Sequence, residues 1–316
     1  MNILFVCSYN KKKISPFILE QAKALDALGI NIEFFGIEGK GSIGYLKNYK
    51  KLRKKINQDF TDLIHAHYGL SGLLANLQRR IPVVTTFHGS DINTSRALKY
   101  SKMAFRLSAA SIFVNQSMAY KICKKLNGTV IPCAVDDSNF TPLSKREARQ
   151  ELGFNISGIF ILFSSSFDHQ VKNYPLSKAS CEMLEDRINR NVTLIELKDF
   201  TRQEVNFLLN ASDCALLTSF SEGSPQFIKE AMACNCPVVS TDVGDVAWLF
   251  GNEPGHYLTS FDPDDVAEKL KMALEYVEKQ GRTRGRERIF ELGLDSETIS
   301  SRVINVYESV LEKNAR

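Results

Sequence analysis

The chain has 316 residues, 44% of them hydrophobic and 24% charged, with a formal net charge of +4. That length suits roughly two domains and that composition can fill two cores. No stretch approaches the roughly 20 apolar residues of a membrane span, and MNILFVCSYNKKK puts its charges after the apolar run, the reverse of a secretory signal.

The seven cysteines are odd in number and scattered. Cys234 and Cys236 make only C-x-C with no matching pair, so neither a metal site nor a disulfide framework is expected, and a reducing cytoplasm is the simpler setting. Residues 1–140 hold 20 Lys and Arg against 9 Asp and Glu, and the remainder 20 against 27. Halves of opposite sign suggest two domains with different partners.

In chain order, Ile3–Cys7, Ile32–Ile37, Leu63–His65, Val83–Phe87, Ile112–Val114 and Val130–Ile131 read as short buried strands. Helical patterns lie between most of them, over Pro16–Leu28, Tyr45–Ile56, Leu70–Arg79, Arg96–Ser108 and Ser117–Leu126. Such alternation implies parallel βαβ units. The first strand runs into Ser8-Tyr9-Asn10-Lys11 without G-x-G-x-x-G, which argues against a dinucleotide site in the first half. Ser15 with Pro16 makes a good helix start.

The segment Tyr45–Ile56 carries apolar residues at 45, 46, 49, 52 and 56, with Lys and Arg over the rest. It could lie on anionic lipid or bury its stripe in the domain; both readings stand. Nucleic acid explains the charge less well, because no stacking aromatics or binding motif accompany it. In LIHAHYG, His65 reads as a satisfied interior histidine, while His67 could reach a binding cleft. H-A-H without a third ligand is a poor metal site. Phe87-His88-Gly89-Ser90-Asp91 follows a strand, where open α/β sheets bind ligands. Gly89 allows close backbone approach. Asp91 could orient an acceptor hydroxyl or cap the next helix.

The loop Cys133–Pro142 breaks the pattern, giving expected domains at 1–140 and 141–295. A second series of strands follows at Ile159–Ser164, Val192–Glu196, Cys214–Leu217 and Val238–Ser240, and a last helix runs from Ser296 to about Lys313. The richest stretch is Ser221–Ser240, SEGSPQFIKEAMACNCPVVS. It sets Glu222 in a loop and Glu230 on the helix after it. Ser224 can cap that helix and Pro225 fits its first turn. First-turn amides at Gly223, Ser224, Gln226 and Phe227 favour an anion or a sugar hydroxyl. Asn235 tolerates the left-handed backbone of a helix end.

The run E-G-x-P-x4-E-A-M-A-C-x-x-P-V-V resembles the Glu-x7-Glu signature of the family 4 (group 1) glycosyltransferases. IPCAVDDSNF is similar to the family's interdomain join. The resemblance implies the GT-B fold, two Rossmann-like doubly wound α/β domains facing a cleft, with the 296–316 helix crossing back to the first. It implies retention of configuration without an essential metal or other cofactor. The substrates would be a nucleotide-diphosphate sugar, UDP- or GDP-linked, and a saccharide or lipid-linked acceptor.

Carried onto matching residues, Glu222 would contact the donor sugar near its reacting carbon and Glu230 the ribose hydroxyls. His88 would lie near the sugar and departing phosphate. Lys172, with Asn173 at a helix start, would face the diphosphate. Leu197 and Lys198 would read the base through backbone groups. Asn10, Ser15, His67 and Asp91 are acceptor-side candidates. The chain departs from the pattern at Ser166, where relatives place an arginine, and at Thr241–Asp245, where one glycine of a Gly-Gly turn is replaced. Bacterial surface-polysaccharide assembly, on the inner face of the cytoplasmic membrane, is the expected setting. The alternatives are a non-catalytic GT-B partner of another transferase or a sugar-nucleotide epimerase.

Overall fold

The computed structural model describes residues 1–10, 12–123 and 129–315. Lys11 of the Lys11–Lys13 run and positions 124–126 of the expected Ser117–Leu126 helix lie outside the described residues. Two compact units form: residues 1–134 with the C-terminal helix, and Val135–Asp295.

In the first unit, β1 (Asn2–Ser8), β2 (Asn31–Ile37), β3 (Leu63–His67), β4 (Val83–Phe87), β5 (Ala110–Phe113) and β6 (Thr129–Val130) alternate with helices. These are α1 (Pro16–Ala27), α2 (Gly41–Leu46), α3 (Tyr49–Gln58), α4 (Gly69–Asn76), α5 (Ser95–Leu107) and α6 (Gln116–Cys123). The sheet order is β2-β1-β3-β4-β5-β6, every pairing parallel. Its central strands are apolar runs buried on both faces, as helix-covered parallel strands must be.

The second unit runs α7 (Lys145–Glu151), β7 (Ile159–Phe163), α8 (Tyr174–Ile188), β8 (Val192–Glu196), α9 (Arg202–Ala211), β9 (Cys214–Leu217) and α10 (Gln226–Ala233). It continues through β10 (Val238–Thr241), α11 (Val246–Phe250), β11 (His256–Thr259), α12 (Pro263–Gln280) and α13 (Gly285–Glu291). Its order is β11-β10-β9-β7-β8, also parallel. The short edge strand β11 was not expected from the sequence. Asn235 adopts the left-handed conformation just past α10, and its side chain accepts the Arg286 amide at 2.8 Å.

The last helix, α14 (Ser296–Ala315), packs on α1 in the first unit. Tyr307 is wholly buried there, its hydroxyl 2.6 Å from His65 Nδ1. Arg302 donates to the Val130 carbonyl at 2.7 Å.

The expected helix over 45–56 is corrected to two. The buried Asn48 breaks it by donating its side-chain amide to the carbonyls of Glu38 and Gly44. A side chain that bonds nearby carbonyls competes with the helix. The stripe on α3 belongs to the core, with Leu52 and Ile56 packed beside Tyr45 and Tyr49. The outward apolar residues are instead Ile43 and Leu46 on α2.

Candidate donor site and histidine cluster

In a doubly wound sheet, ligands bind beyond the carboxyl ends of the strands, where the strand order reverses. In the second unit that point lies between β7 and β9, because β8 extends one side and β10 and β11 the other. The loops leaving β7 and β9 carry Lys172 and Glu222. Lys172 Nζ donates to Glu222 Oε1 at 2.6 Å, and Ser219 Oγ donates to the same oxygen at 2.7 Å. Both charged side chains are about four-fifths buried, at 18% and 17% exposure. This is an ion pair held in a partly desolvated place, where a charge responds strongly to what replaces its partner.

Backbone and hydroxyl contacts brace these two loops. Lys172 ends a 3₁₀ turn, and Asn173 follows in the left-handed region. Phe220 N–H donates to the Val171 carbonyl at 2.9 Å, and Thr218 Oγ1 lies 2.9 and 3.1 Å from the Lys172 and Asn173 carbonyls. On the far side, Thr241 Oγ1 donates to the Ser219 carbonyl at 2.8 Å. Gly244 has φ +66°, and a Cβ there would stand 2.5 Å from the Gly223 carbonyl oxygen. The glycine retained from the Gly-Gly turn is thus the one that seats the Glu222 loop.

Helix α10 starts at Gln226. The expected Ser224 cap is corrected: Pro225 occupies the cap position in an extended conformation, and the Ser224 hydroxyl is buried beside the Asp245 carboxyl. Phe227 is buried, as are Gly223 and Pro225. Glu230, one turn further, is 4% exposed. Its Oε1 accepts from Arg202 at 2.5 Å, and that guanidinium also lies 4.5 Å from the centre of the Phe140 ring.

Leu197 and Lys198 follow β8, with the Leu197 amide already bonded to the Ser165 carbonyl at 3.1 Å. Ser166 donates its hydroxyl to Asp168. The sequence reading passed over Arg202, Lys229 and Asp245. Lys229 is wholly buried and donates to Gln226 Oε1 at 2.7 Å. Asp245 follows Gly244 in the same turn. Burial pushes its carboxyl above the usual carboxylate range, against the pull of the Lys229 ammonium. The helical amphipathic pattern puts Lys229 on a face that should be wet, so only tertiary contact reveals it.

The cavity bounded by Arg149, Arg190, Asp213 and Glu278 lies elsewhere, at the amino ends of β7 and β9. Its ion pair is structural: Arg149 bonds Asp213 at 2.8 Å and the Ala211 carbonyl at 2.9 Å.

In the first unit, β4 is followed by His88 and β3 ends on His67. Asp91 is corrected: it neither caps the next helix nor has a carboxylate turned to an acceptor. Its Oδ1 accepts the His88 and Gly89 amides at 3.1 and 3.0 Å, its Oδ2 the Gly69 amide at 2.9 Å, and Thr94 caps α5. Burial raises its pKa while these amides lower it. His67 is corrected as well: it is wholly buried, so it offers no surface to an acceptor. Its Nδ1 lies 3.1 Å from His88 Nε2.

His65 and His67 stand two residues apart on one strand and share a face, their rings stacked at 4.4 Å. His65 is satisfied, between Tyr307 and Thr86 Oγ1, and burial pushes its pKa down to about 3. Ser15 is the cap residue of α1 but makes no side-chain cap bond. Asn10 ties the first loop to the second, donating to Ser8 Oγ at 3.0 Å and accepting the Gly39 amide at 2.7 Å. Neither meets the histidine cluster. Among the described residues no group of His, Cys, Asp or Glu could hold a metal ion, and no helix is long and apolar enough to cross a membrane.

Comparison with known proteins agrees with this arrangement. The family model described as Glycosyltransferase Family 4 matches residues 31–139, and that described as Glycosyl transferases group 1 matches 172–276. The chain is 31% identical over 220 residues to TuaC of Bacillus subtilis, named as a glycosyltransferase of teichuronic acid biosynthesis; the match covers 61% of this chain and 56% of TuaC. Among solved structures, a sucrose-phosphate synthase from Thermosynechococcus elongatus superposes with a TM-score of 0.80 at 18% identity, covering 99% of this chain and all of that one. Anabaena HepE in complex with UDP superposes at 0.75, also 18% identical, covering 98% of this chain and all of HepE. Both neighbours have the GT-B fold, and so does this chain. With both halves matched in order, the chain belongs to the family 4, group 1 glycosyltransferases.

Proposed function

We propose that the chain is a retaining, metal-independent glycosyltransferase. It takes a sugar from a nucleotide-diphosphate sugar, UDP- or GDP-linked, and passes it to a saccharide or lipid-linked acceptor in bacterial surface-polysaccharide synthesis. The observation that carries this reading is the Lys172–Glu222 pair at the strand-order reversal, with Glu230 eight residues on. The name of TuaC and the UDP held by HepE agree with it.

A departing nucleoside diphosphate needs its growing charge neutralised, and fixed cations and amides do this best in a water-poor site. The diphosphate competes with Glu222 for Lys172. When Lys172 turns to it, Glu222 is released to position the sugar beside its reacting carbon. The leaving oxygen then takes the acceptor's proton as the new bond forms on the same face. Glu230 holds the ribose hydroxyls, fixed from behind by Arg202. The first unit holds the acceptor. The intact Lys172–Glu222 pair weighs against a binding-only protein, even with Ser166 in the arginine's place.

A thermal-shift panel of UDP, GDP, ADP, CMP and their sugars, with chelator present, tests the reading. Ligand binding to the folded state raises the melting temperature. A rise with one nucleoside diphosphate, lost in Glu230→Ala, is expected. No rise with any of them would overturn it. Turnover of the nucleotide sugar with no acceptor present would point to an epimerase.

A further inference from the structure

We propose that His67 is a positioning residue that fixes the tautomer of His88, so that His88 carries its proton on Nδ1. The inference rests on the transferase reading for its consequence but not for its test. His67 is sealed in the core between the Phe5 ring, at 4.8 Å, and the His65 ring, at 4.4 Å. Its Nδ1 meets His88 Nε2 at 3.1 Å, and its own Nε2 is buried with no hydrogen-bond partner. Burial, with His65 and His88 beside it, holds the His67 ring far below its ordinary pKa, so it is neutral.

A neutral imidazole has one N–H and one bare nitrogen. Across the single contact, one ring donates and the other accepts. If His88 donated from Nε2, His67 would have to carry its proton on Nε2, an orphaned N–H in the core. If His67 donates from Nδ1, only a bare lone pair is left over. Buried orphan donors are the rarer and costlier of the two. His67 therefore donates, His88 Nε2 accepts, and the His88 proton sits on Nδ1, the nitrogen 3.6 Å from Cys133 Sγ.

The rest of His88 is fixed to match. Asp91 holds its backbone amide, and the Phe17 and Tyr68 rings lie 4.9 and 4.6 Å from its own. His88 thus enters the reaction as a neutral ring with one set donor, a group suited to a sugar hydroxyl or phosphate oxygen. The buried H-A-H second histidine serves the exposed chemistry from one layer behind.

The test is long-range ¹H–¹⁵N correlation on the full chain with ¹⁵N-labelled histidine. The chain has five histidines, and His88→Gln identifies the His88 signals. The wild type is expected to have a protonated Nδ1 and bare Nε2 at His88. His67→Leu should let His88 drift to a mixture or to the Nε2–H form and lower kcat about tenfold, the worth of one well-placed hydrogen bond, with little change in donor KM. His67→Asn, whose side-chain amide nitrogen stands where His67 Nδ1 does and can donate, should restore the Nδ1–H form and most of the rate. A wild-type His88 protonated on Nε2, or a tautomer unmoved by His67→Leu, would overturn the proposal. If His67→Leu does not fold, the wild-type spectrum alone decides. The tautomer is read without turnover, so absent activity with the expected spectrum would count against the transferase reading only.

Discussion

Gly244→Ala tests whether the Glu222 loop is seated as described. Alanine at φ +66° pays the left-handed penalty of about 1–2 kcal/mol. Its Cβ would also stand 2.5 Å from the Gly223 carbonyl oxygen. That neighbour is backbone, so the overlap is relieved only by moving the loop, at about 1–3 kcal/mol more. Gly153 supplies the control. It lies in the same unit at φ +67° with nothing within 4 Å of a built Cβ, so Gly153→Ala pays the backbone penalty alone.

The expected losses are therefore about 1–2 kcal/mol for Gly153→Ala and about 2–5 kcal/mol for Gly244→Ala. With a urea slope of about 2 kcal/mol per molar, the two midpoints should differ by about 1 M. Gly244→Ala should also lose the nucleotide-induced thermal shift, because Glu222 and Gly223 move with the loop. Gly153→Ala should keep it. Equal midpoints for the two variants, with nucleotide binding intact in both, would refute the argument that Gly244 seats the loop.

Three further outcomes are expected. Glu222→Ala should cut turnover by at least about a hundredfold while the melting temperature moves little, since removing a group aimed at developing charge costs that much; an unaltered rate would remove Glu222 from the chemistry. Acid should destabilise both units through buried neutral histidines. His65 and His256 have folded pKa values of about 3 against 6.5 when unfolded, so their contribution is complete above pH 6.5 and lost as pH falls from 6.5 toward 3. At pH 5 the loss is about 2 kcal/mol for each, and urea midpoints at pH 7.5 and 5 for the wild type, His65→Gln and His256→Gln would check it, a flat profile counting against it. Finally, Ile43 and Leu46 are 74% and 56% exposed beside the lysines of α3. If this face meets anionic lipid, flotation with phosphatidylglycerol vesicles should fall in Ile43→Ser/Leu46→Ser, whereas Leu52→Ala should act on stability alone.

The α/β architecture was legible because short apolar strand runs and helical periods alternate along almost the whole chain. Glu222 and Glu230 were legible because loop, proline, helix and strand follow each other locally. His65 could be read as interior from its place on a buried strand. The helix break at Asn48 was not legible, since it depends on carbonyls of Glu38 and Gly44 being brought to one side-chain amide. Nor was Arg202, which reaches Glu230 across 28 residues of chain.

The sequence by itself determined most of the strands, their order and the family resemblance, because these rest on short apolar runs and on one contiguous motif. Only the tertiary structure decided which charges meet. Lys172 and Glu222 are 50 residues apart and become a pair because β7 and β9 are neighbours in the sheet. Asp91 turned from acceptor candidate to loop clasp, and His67 from acceptor-side candidate to buried support, for the same reason: a polar side chain bonds whatever the fold sets within about 3 Å of it.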